Sequence, residues 1–132
     1  VRVYNNTIMK NLSTATAVTS SGAAAPAGLS TSLNSALLQA TLPGGSPLFS
    51  NPLLFNNIFW DNRAGTRVGG TVTGLGIAGD ASPIENWDLG VADGFGSLAP
   101  TNSIVQQNAG TYPYTASATS TRLAASTGHP PG

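Results

Sequence analysis

The chain has no cysteine, few charged residues and a single lysine, Lys10. The lack of cysteine excludes disulfide bonds, thiolate metal sites and a cysteine nucleophile. Five basic and five acidic side chains cancel, and neither sign forms a cluster along the chain. The sequence therefore lacks the electrostatic footprint of a protein that binds nucleic acid or an anionic membrane surface, and we expect neither as a partner.

Long apolar runs are absent as well. No stretch approaches the roughly 18 apolar residues of a membrane-spanning helix, so we expect no membrane insertion. The chain does not open on the charged and then apolar pattern of a secretion signal. It begins at Val1, which we expect of a processed product or of a portion of a longer protein.

Small residues dominate what is present. Only 8% of the residues are charged, whereas globular domains typically carry about 25%. The 40% hydrophobic content suffices for the core of one domain. Hydroxyl and amide groups must solvate the surface, or other copies or segments must cover it. This composition is typical of bacterial surface and filament proteins, so we expect an extracellular or cell-surface location.

A weak internal repeat is the most informative pattern. Three segments have asparagine at both ends and a large apolar residue at the centre: NNTIMKN at 5–11, NNIFWDN at 56–62 and NSIVQQN at 102–108. Their starts lie 51 and 46 residues apart. Recurrence at a nearly constant period indicates a solenoid, in which each unit stacks on the next.

The repeat predicts an all-β fold, a right-handed parallel β-helix that is an incomplete solenoid. Ile8, Phe59 and Ile104 should point into the core. The flanking asparagines should lie at corners, because asparagine tolerates the left-handed conformation and its side chain bonds to nearby backbone. Stacked amides would then form ladders. The alternative is an antiparallel β-sandwich whose strands end at asparagine.

Glycine and proline interrupt the segments between the repeats and exclude long helices. Only residues 29–42 have helical spacing, with Ser30 or Thr31 in position to cap a helix. The same stretch could form two buried strands. We expect it to be non-helical, because Pro43 follows it and the surroundings are β.

Two regions are expected along the chain. Residues 1–115 should form β-helix coils with Gly- and Pro-rich excursions. Residues 116–132 form a tail rich in Ala, Ser, Thr and Pro, with Leu123 as its one large apolar residue. We expect this tail to be extended or packed against a neighbour, since it has little to bury.

Four strings carry a family resemblance: VYNNTI at 3–8, PAGL at 26–29, NPLLFNNIFWDN at 51–62 and WDLG at 87–90. Over roughly residues 1–110 the chain resembles bacterial right-handed parallel β-helix repeat proteins. That group includes pectin-lyase-like enzymes, adhesins and surface proteins. Its members usually have many coils with a cap at each end, so the resemblance implies a fragment, with any catalytic coil outside it.

Four acids fall within fourteen residues: Asp80, Glu85, Asp88 and Asp93. They would supply oxygen ligands for Ca²⁺ or a carboxylate pair for polysaccharide cleavage. The lyases of the group that the chain resembles use carboxylates with Ca²⁺ and a basic residue. However, no basic residue lies between Arg67 and Arg122, and the EF-hand spacing is missing. Loop acids that cap turns are the default interpretation, and no cofactor is expected beyond this weak Ca²⁺ candidate.

Trp60 and Trp87 are the candidate carbohydrate-binding residues, because sugar rings stack on aromatic faces. A core position is the competing interpretation for both. The glycine pattern at 74–79 matches a dinucleotide-binding loop, but no helix is predicted after it, so a turn is expected. His129 has no serine or acid nearby in the sequence, and no catalytic triad follows from it.

Two functional classes stay open. The first is a non-enzymatic structural or adhesive surface protein, including a filament subunit, whose exposed coil edges would pair with other copies or with other segments of the same protein. The second is a carbohydrate-binding or polysaccharide-cleaving protein. We favour the first, because only the acids around Asp88 and the two tryptophans support the second.

Overall fold

A computed structural model describes residues 1–92 and 96–106 and the strand at 121–123. Within these residues the secondary structure is almost entirely short strands, so the predicted all-β class is confirmed. In chain order the elements are β1 (Arg2–Tyr4), β2 (Thr7–Met9), β3 (Leu12–Ser13), β4 (Leu29–Thr31), α1 (Ala36–Thr41), β5 (Leu53–Phe55), β6 (Ile58–Trp60), β7 (Arg63–Ala64), β8 (Thr66–Val68), β9 (Thr71–Thr73), β10 (Leu89–Val91), β11 (Ile104–Gln106) and β12 (Thr121–Leu123).

The sheets are small, and both parallel and antiparallel pairs occur. Parallel pairs join β1 to β5, β3 to β7 and β10 to β4, and a four-stranded parallel sheet has the order β12-β11-β6-β2. The hairpin of β8 and β9 is antiparallel. The strands β5, β6 and β7 pair in that order with β1, β2 and β3, each time at a spacing of 51 residues. The second repeat therefore lies beside the first in the same direction.

The register of the four-stranded sheet corrects one core prediction. Ile8 pairs with Phe59, and Phe59 pairs with Val105. Phe59 and Val105 are fully buried, and Ile8 is half-buried against them. The inward position predicted for Ile104 is wrong: Ile104 pairs with Ile58 and is 37% exposed. Successive residues of a strand face opposite sides, so one register step moves a side chain from core to surface.

The asparagine corners are confirmed. Asn5, Asn56 and Asn102 all adopt the left-handed conformation, with φ of 58°, 56° and 46°. At the next corner the left-handed residues are Lys10 and Asp61, directly before Asn11 and Asn62. Asn11 and Asn62, the closing asparagines of the first two repeats, therefore serve the corner through their side chains, and the residue before each makes the turn. Asn108, which closes the third repeat, lies outside the described residues.

The helix α1 corrects the expectation that residues 29–42 are non-helical. Residues 29–31 do form a strand, but Ala36–Thr41 are helical. Ser35 is the N-cap, and its Oγ accepts a hydrogen bond from the backbone N of Leu38 at 3.2 Å. Alanine, leucine and glutamine are strong helix formers, so a capped turn forms even on the surface. Ser30 and Thr31, the predicted caps, lie in β4 instead.

The core lies between the inward faces of the parallel strands. Each fully buried aliphatic or aromatic side chain contributes roughly 1.5–3 kcal/mol. The buried cluster consists of Leu54, Phe59, Leu89, Val91, Leu98 and Val105, and Val3, Ile8, Leu29 and Phe49 pack against it.

Candidate functional site

Two rows of polar side chains link the repeats at their corners. The first, which we call the Asn57 ladder, consists of Asn6, Asn57 and Ser103. Oδ1 of Asn57 accepts hydrogen bonds from the backbone N of Asn6 at 3.0 Å and from its Nδ2 at 3.3 Å. The backbone N of Asn57 donates in turn to Oγ of Ser103 at 3.1 Å. Asn57, the middle member, therefore accepts from the first repeat and donates to the third.

The second row, the Asn62 ladder, consists of Asn11, Asn62 and Asp88. Oδ1 of Asn62 accepts from the backbone N of Asn11 at 3.2 Å and from its Nδ2 at 2.8 Å. The backbone N and Nδ2 of Asn62 both donate to Oδ1 of Asp88, at 3.2 and 2.6 Å. Asn62 and Asp88 are fully buried.

Asp88 ends the Asn62 ladder because it accepts from both sides. Oδ1 receives the two bonds from Asn62, and Oδ2 receives the backbone N–H of Gln106 at 2.6 Å. An asparagine could not do this, since its Nδ2 would face the N–H of Gln106 as donor against donor. Burial raises the pKa of Asp88 to about 6, although the three hydrogen bonds oppose that shift.

Asp80 closes the glycine-rich turn. Its Oδ2 accepts from the backbone N–H groups of Gly74, Leu75 and Gly76 at 2.7, 3.0 and 3.3 Å, and Oδ1 accepts from Ser82 at 2.9 Å. These hydrogen bonds, the one from Ser82 foremost, lower the pKa of Asp80. The row of N–H groups that would face a phosphate in a dinucleotide site is thus occupied by the chain's own carboxylate. No helix follows the loop, so the predicted turn is confirmed.

The acids of the Ca²⁺ candidate are not gathered at one point in the described part of the chain. Asp80 and Asp88 use both carboxylate oxygens in the hydrogen bonds given above. Glu85 lies beside the glycine turn, where its backbone N donates to the carbonyl of Gly74 at 2.8 Å. Asp93 lies outside the described residues. Among residues 1–92 and 96–106, no three His, Cys, Asp or Glu side chains form a group that could hold a metal ion.

The two tryptophans differ in exposure. Trp87 is buried, and its indole N–H donates to the carbonyl oxygen of Leu89 at 3.1 Å. Trp60 lies on the outer face of β6, in register with Met9, and is half-buried. Only Trp60 therefore presents part of its ring to solvent. Sugar binding at these residues stays a prediction.

An exposed apolar surface lies beside the corner formed by Asn5 and Asn56. Tyr4 and Phe55 are in register on β1 and β5, and their ring centroids lie 6.0 Å apart in an edge-to-face arrangement. Tyr4 is 42% exposed, Leu53 59% and Phe55 44%. We call these three residues the aromatic row. A surface groove of about 460 Å³ runs along the row and is lined also by Asn51, Pro52, Leu54, Ala99 and Thr101.

Neither the aromatic row nor the burial of Asp88 was among the candidate features predicted from the sequence. The available signal for the row was an aromatic residue directly before each of the first two asparagine pairs, at Tyr4 and Phe55. These positions lie outside the seven-residue repeat segments. Asp88 carried no such signal, because its burial depends on Asn62 and Gln106, which are distant in sequence.

Comparison of the chain with protein-family models, with curated proteins and with solved structures gives no match. In the part of the chain that the structure describes, no helix has the length and apolar character needed to cross a membrane.

Proposed function

We propose that the chain is a portion of a right-handed parallel β-helix that serves as a non-enzymatic structural or adhesive protein, outside the cell or at its surface. In-register parallel pairing between segments 51 and 46 residues apart supports the β-helix over an antiparallel sandwich. Right-handedness follows from the general rule for parallel strands joined by a crossover, which holds in about 98% of cases.

The aromatic row is the observation that carries the structural or adhesive role. Three large apolar side chains, Tyr4, Leu53 and Phe55, stand side by side and partly exposed on two adjacent parallel strands. Contiguous exposed apolar surface marks sites of contact with other proteins. Ile58 and Ile104 form a similar exposed pair on the next face. A β-helix with such faces would pack sideways against other copies or against a target surface.

The hydrogen bonds that Asp80 and Asp88 accept support a non-enzymatic role. Their carboxylates are held by backbone and amide donors that keep a turn closed and a ladder in place. A general acid or base needs a proton-transfer atom within reach of substrate. In Asp88 both oxygens face the protein interior.

Association of the purified chain tests this proposal. Size-exclusion chromatography with light scattering, over a range of concentrations, should show growing assemblies, and electron microscopy should show their form. Phe55→Ser should weaken association. Val68→Ser is the control, because Val68 is also an exposed apolar residue, at 69%, but lies on the β8 hairpin. A chain that stays monomeric at all concentrations and cleaves a polysaccharide would overturn the proposal.

Carbohydrate binding is a second candidate, favoured by the groove along the aromatic row. Aromatic faces and the polar groups of Asn51 and Thr101 line the same groove, and ring stacking with a few placed polar groups suits a neutral sugar. Calorimetric titration with neutral oligosaccharides tests it. Tyr4→Ala should abolish binding, and Trp60→Ala should abolish it instead if the sugar stacks on β6.

A further inference from the structure

Within the described residues, the four-stranded parallel sheet has an unpaired edge at each end. Its order is β12-β11-β6-β2, and all three pairs are parallel. Among the described residues, β2 pairs only with β6, and β12 only with β11. An edge strand carries a row of unpaired N–H and C=O groups and is a template for a further strand.

The backbone groups at the β2 edge can be assigned. The carbonyl of Asn6 accepts from Ile58 at 2.8 Å, and the N–H of Lys10 donates to Trp60 at 3.1 Å. Because alternate residues of a parallel strand bond to the same neighbour, Asn6, Ile8 and Lys10 face β6. The N–H and C=O groups of Thr7 and Met9 therefore point away from β6, towards the open side.

In both ladders the hydrogen bonds are donated from the first repeat to the second, so both ladders begin at the β2 edge. Asn6 and Asn11 give their backbone N and Nδ2 groups to Asn57 and Asn62. The Oδ1 atoms of Asn6 and Asn11 accept no hydrogen bond from the described residues, whereas those of Asn57 and Asn62 accept two each. An added layer must therefore bring donors to these two acceptors.

We propose that the β2 edge of one copy pairs in parallel with the β12 edge of a second copy, in a head-to-tail contact that continues the sheet. This proposal rests on the proposed structural role and names the interface. β2 and β12 already run parallel within one sheet, so a copy moved along the sheet axis places its β12 beside β2 in the same direction. Such a contact is heterologous and extends into filaments.

The ladder direction favours this partner over a symmetric dimer. In a two-fold pairing of β2 with β2, both copies would present the same Oδ1 acceptors, and acceptor would face acceptor. The head-to-tail contact avoids this conflict, because β12 does not present those two acceptors. β12 also has no proline, so its backbone N–H groups are all present to meet the open carbonyl groups of Thr7 and Met9. The formal net charge of zero leaves no overall repulsion between copies.

Thr7→Pro is the direct test, since it removes an N–H that faces the open side and leaves the bonds to β6 intact. Thr7→Ala is the matched control, because it keeps that N–H. By electron microscopy, Thr7→Pro alone should form no filaments while Thr7→Ala assembles like the wild type, since the aromatic row is unchanged in both variants. Thr7→Pro keeps an open β12 edge, so a small fraction mixed into wild-type protein should shorten the filaments seen by electron microscopy. A symmetric dimer would show no such shortening, and that result would overturn the proposal.

A cross-linking experiment keeps the proposal testable if the proline variant fails to fold. Thr7 and Thr121 occupy equivalent register positions, both aligned through Ile58 and Ile104. The double variant Thr7→Cys, Thr121→Cys should therefore give disulfide-linked multimers on oxidation, and Thr7→Cys, Arg122→Cys should not. Assemblies that ignore Thr7→Pro, form no such links and are lost in Phe55→Ser would overturn the edge contact while leaving the structural role standing.

Discussion

Nδ2 of Asn62 lies 2.6 Å from Oδ1 of Asp88, and both side chains are fully buried. This bond joins a corner of one repeat to a segment 26 residues later in the chain. Asp88 also accepts a hydrogen bond from the backbone N–H of Gln106 in β11. The buried carboxylate thus connects three parts of the chain, and its energetics can be tested separately from assembly.

Stability should fall as the pH rises through the pKa of Asp88. The folded pKa, about 6, lies above the ordinary value of 3.8, so the folded state holds this proton more tightly than the unfolded state. The stabilisation is complete below about pH 4 and is lost as the pH passes about 6, a loss on the order of 2–3 kcal/mol. Urea unfolding across this range measures it.

Asp88→Asn is the control for that pH dependence, since an amide does not titrate. Its free energy of unfolding should be nearly constant over the same range. Asp80 has a lowered pKa and therefore acts in the opposite sense only at more acidic pH. A wild-type protein whose stability is flat or rises between about pH 4 and 7 would refute the assignment to Asp88.

Asn62→Ala should be strongly destabilising. The substitution removes Nδ2, one of the three donors to a buried carboxylate, and leaves the N–H of Asn11 without its acceptor. The two backbone bonds to Asp88, from position 62 and from Gln106, remain, so we expect a cost of about 3 kcal/mol. Asn51→Ala, at an exposed asparagine, should change stability by under about 0.5 kcal/mol. Equal effects in chemical denaturation would contradict the ladder.

Val105→Ala and Ile104→Ala test which residue of β11 belongs to the core. Val105 is fully buried and Ile104 is 37% exposed. We expect a loss of about 2 kcal/mol for Val105→Ala and under about 0.5 kcal/mol for Ile104→Ala, measured as free energies of unfolding. The reverse order would restore the inward position for Ile104.

Gly28→Ala should destabilise through a steric conflict at the Asn62 ladder. A Cβ at this position would lie against the carbonyl oxygen of Asp88 and 2.9 Å from Nδ2 of Asn62. Overpacking of this kind costs about 1–3 kcal/mol. Gly44→Ala is the matched control, because nothing lies within 4 Å of its added Cβ. Melting temperatures of the two variants should differ clearly, and coincident values would exclude the close approach.

The corners could be predicted from the sequence, because asparagine at a repeated position has few physical explanations other than a left-handed turn. Asn5, Asn56 and Asn102 bear this out. Side-chain size favours Ile104 over Val105 as the core residue, whereas the register aligns Val105 with Phe59. The helix at 36–41 has its N-cap at Ser35, five residues after the first cap candidate, Ser30, so the helical spacing over 29–42 does not locate it.

The candidate site is harder to predict from the sequence than the fold is. Asp88 and Asp80 are alike as loop acids in sequence, yet one is buried in a ladder and the other caps a turn. Their difference arises from partners 26 residues away in one case and within six residues in the other. Short-range contacts can be inferred from glycine and aspartate spacing, whereas long-range ones require the strand register.

The stacking of the repeats in parallel register can be measured directly, because the chain has no native cysteine. Neighbouring strands place paired Cα atoms about 5 Å apart, within the range that a disulfide bridges. Ile58 and Ile104 are such a pair, both exposed on one face. The double variant Ile58→Cys, Ile104→Cys should form an intramolecular disulfide on mild oxidation, seen by mass spectrometry of the monomer, while Ile58→Cys, Val105→Cys should stay reduced. A disulfide in the second variant and none in the first would contradict the parallel, in-register stack.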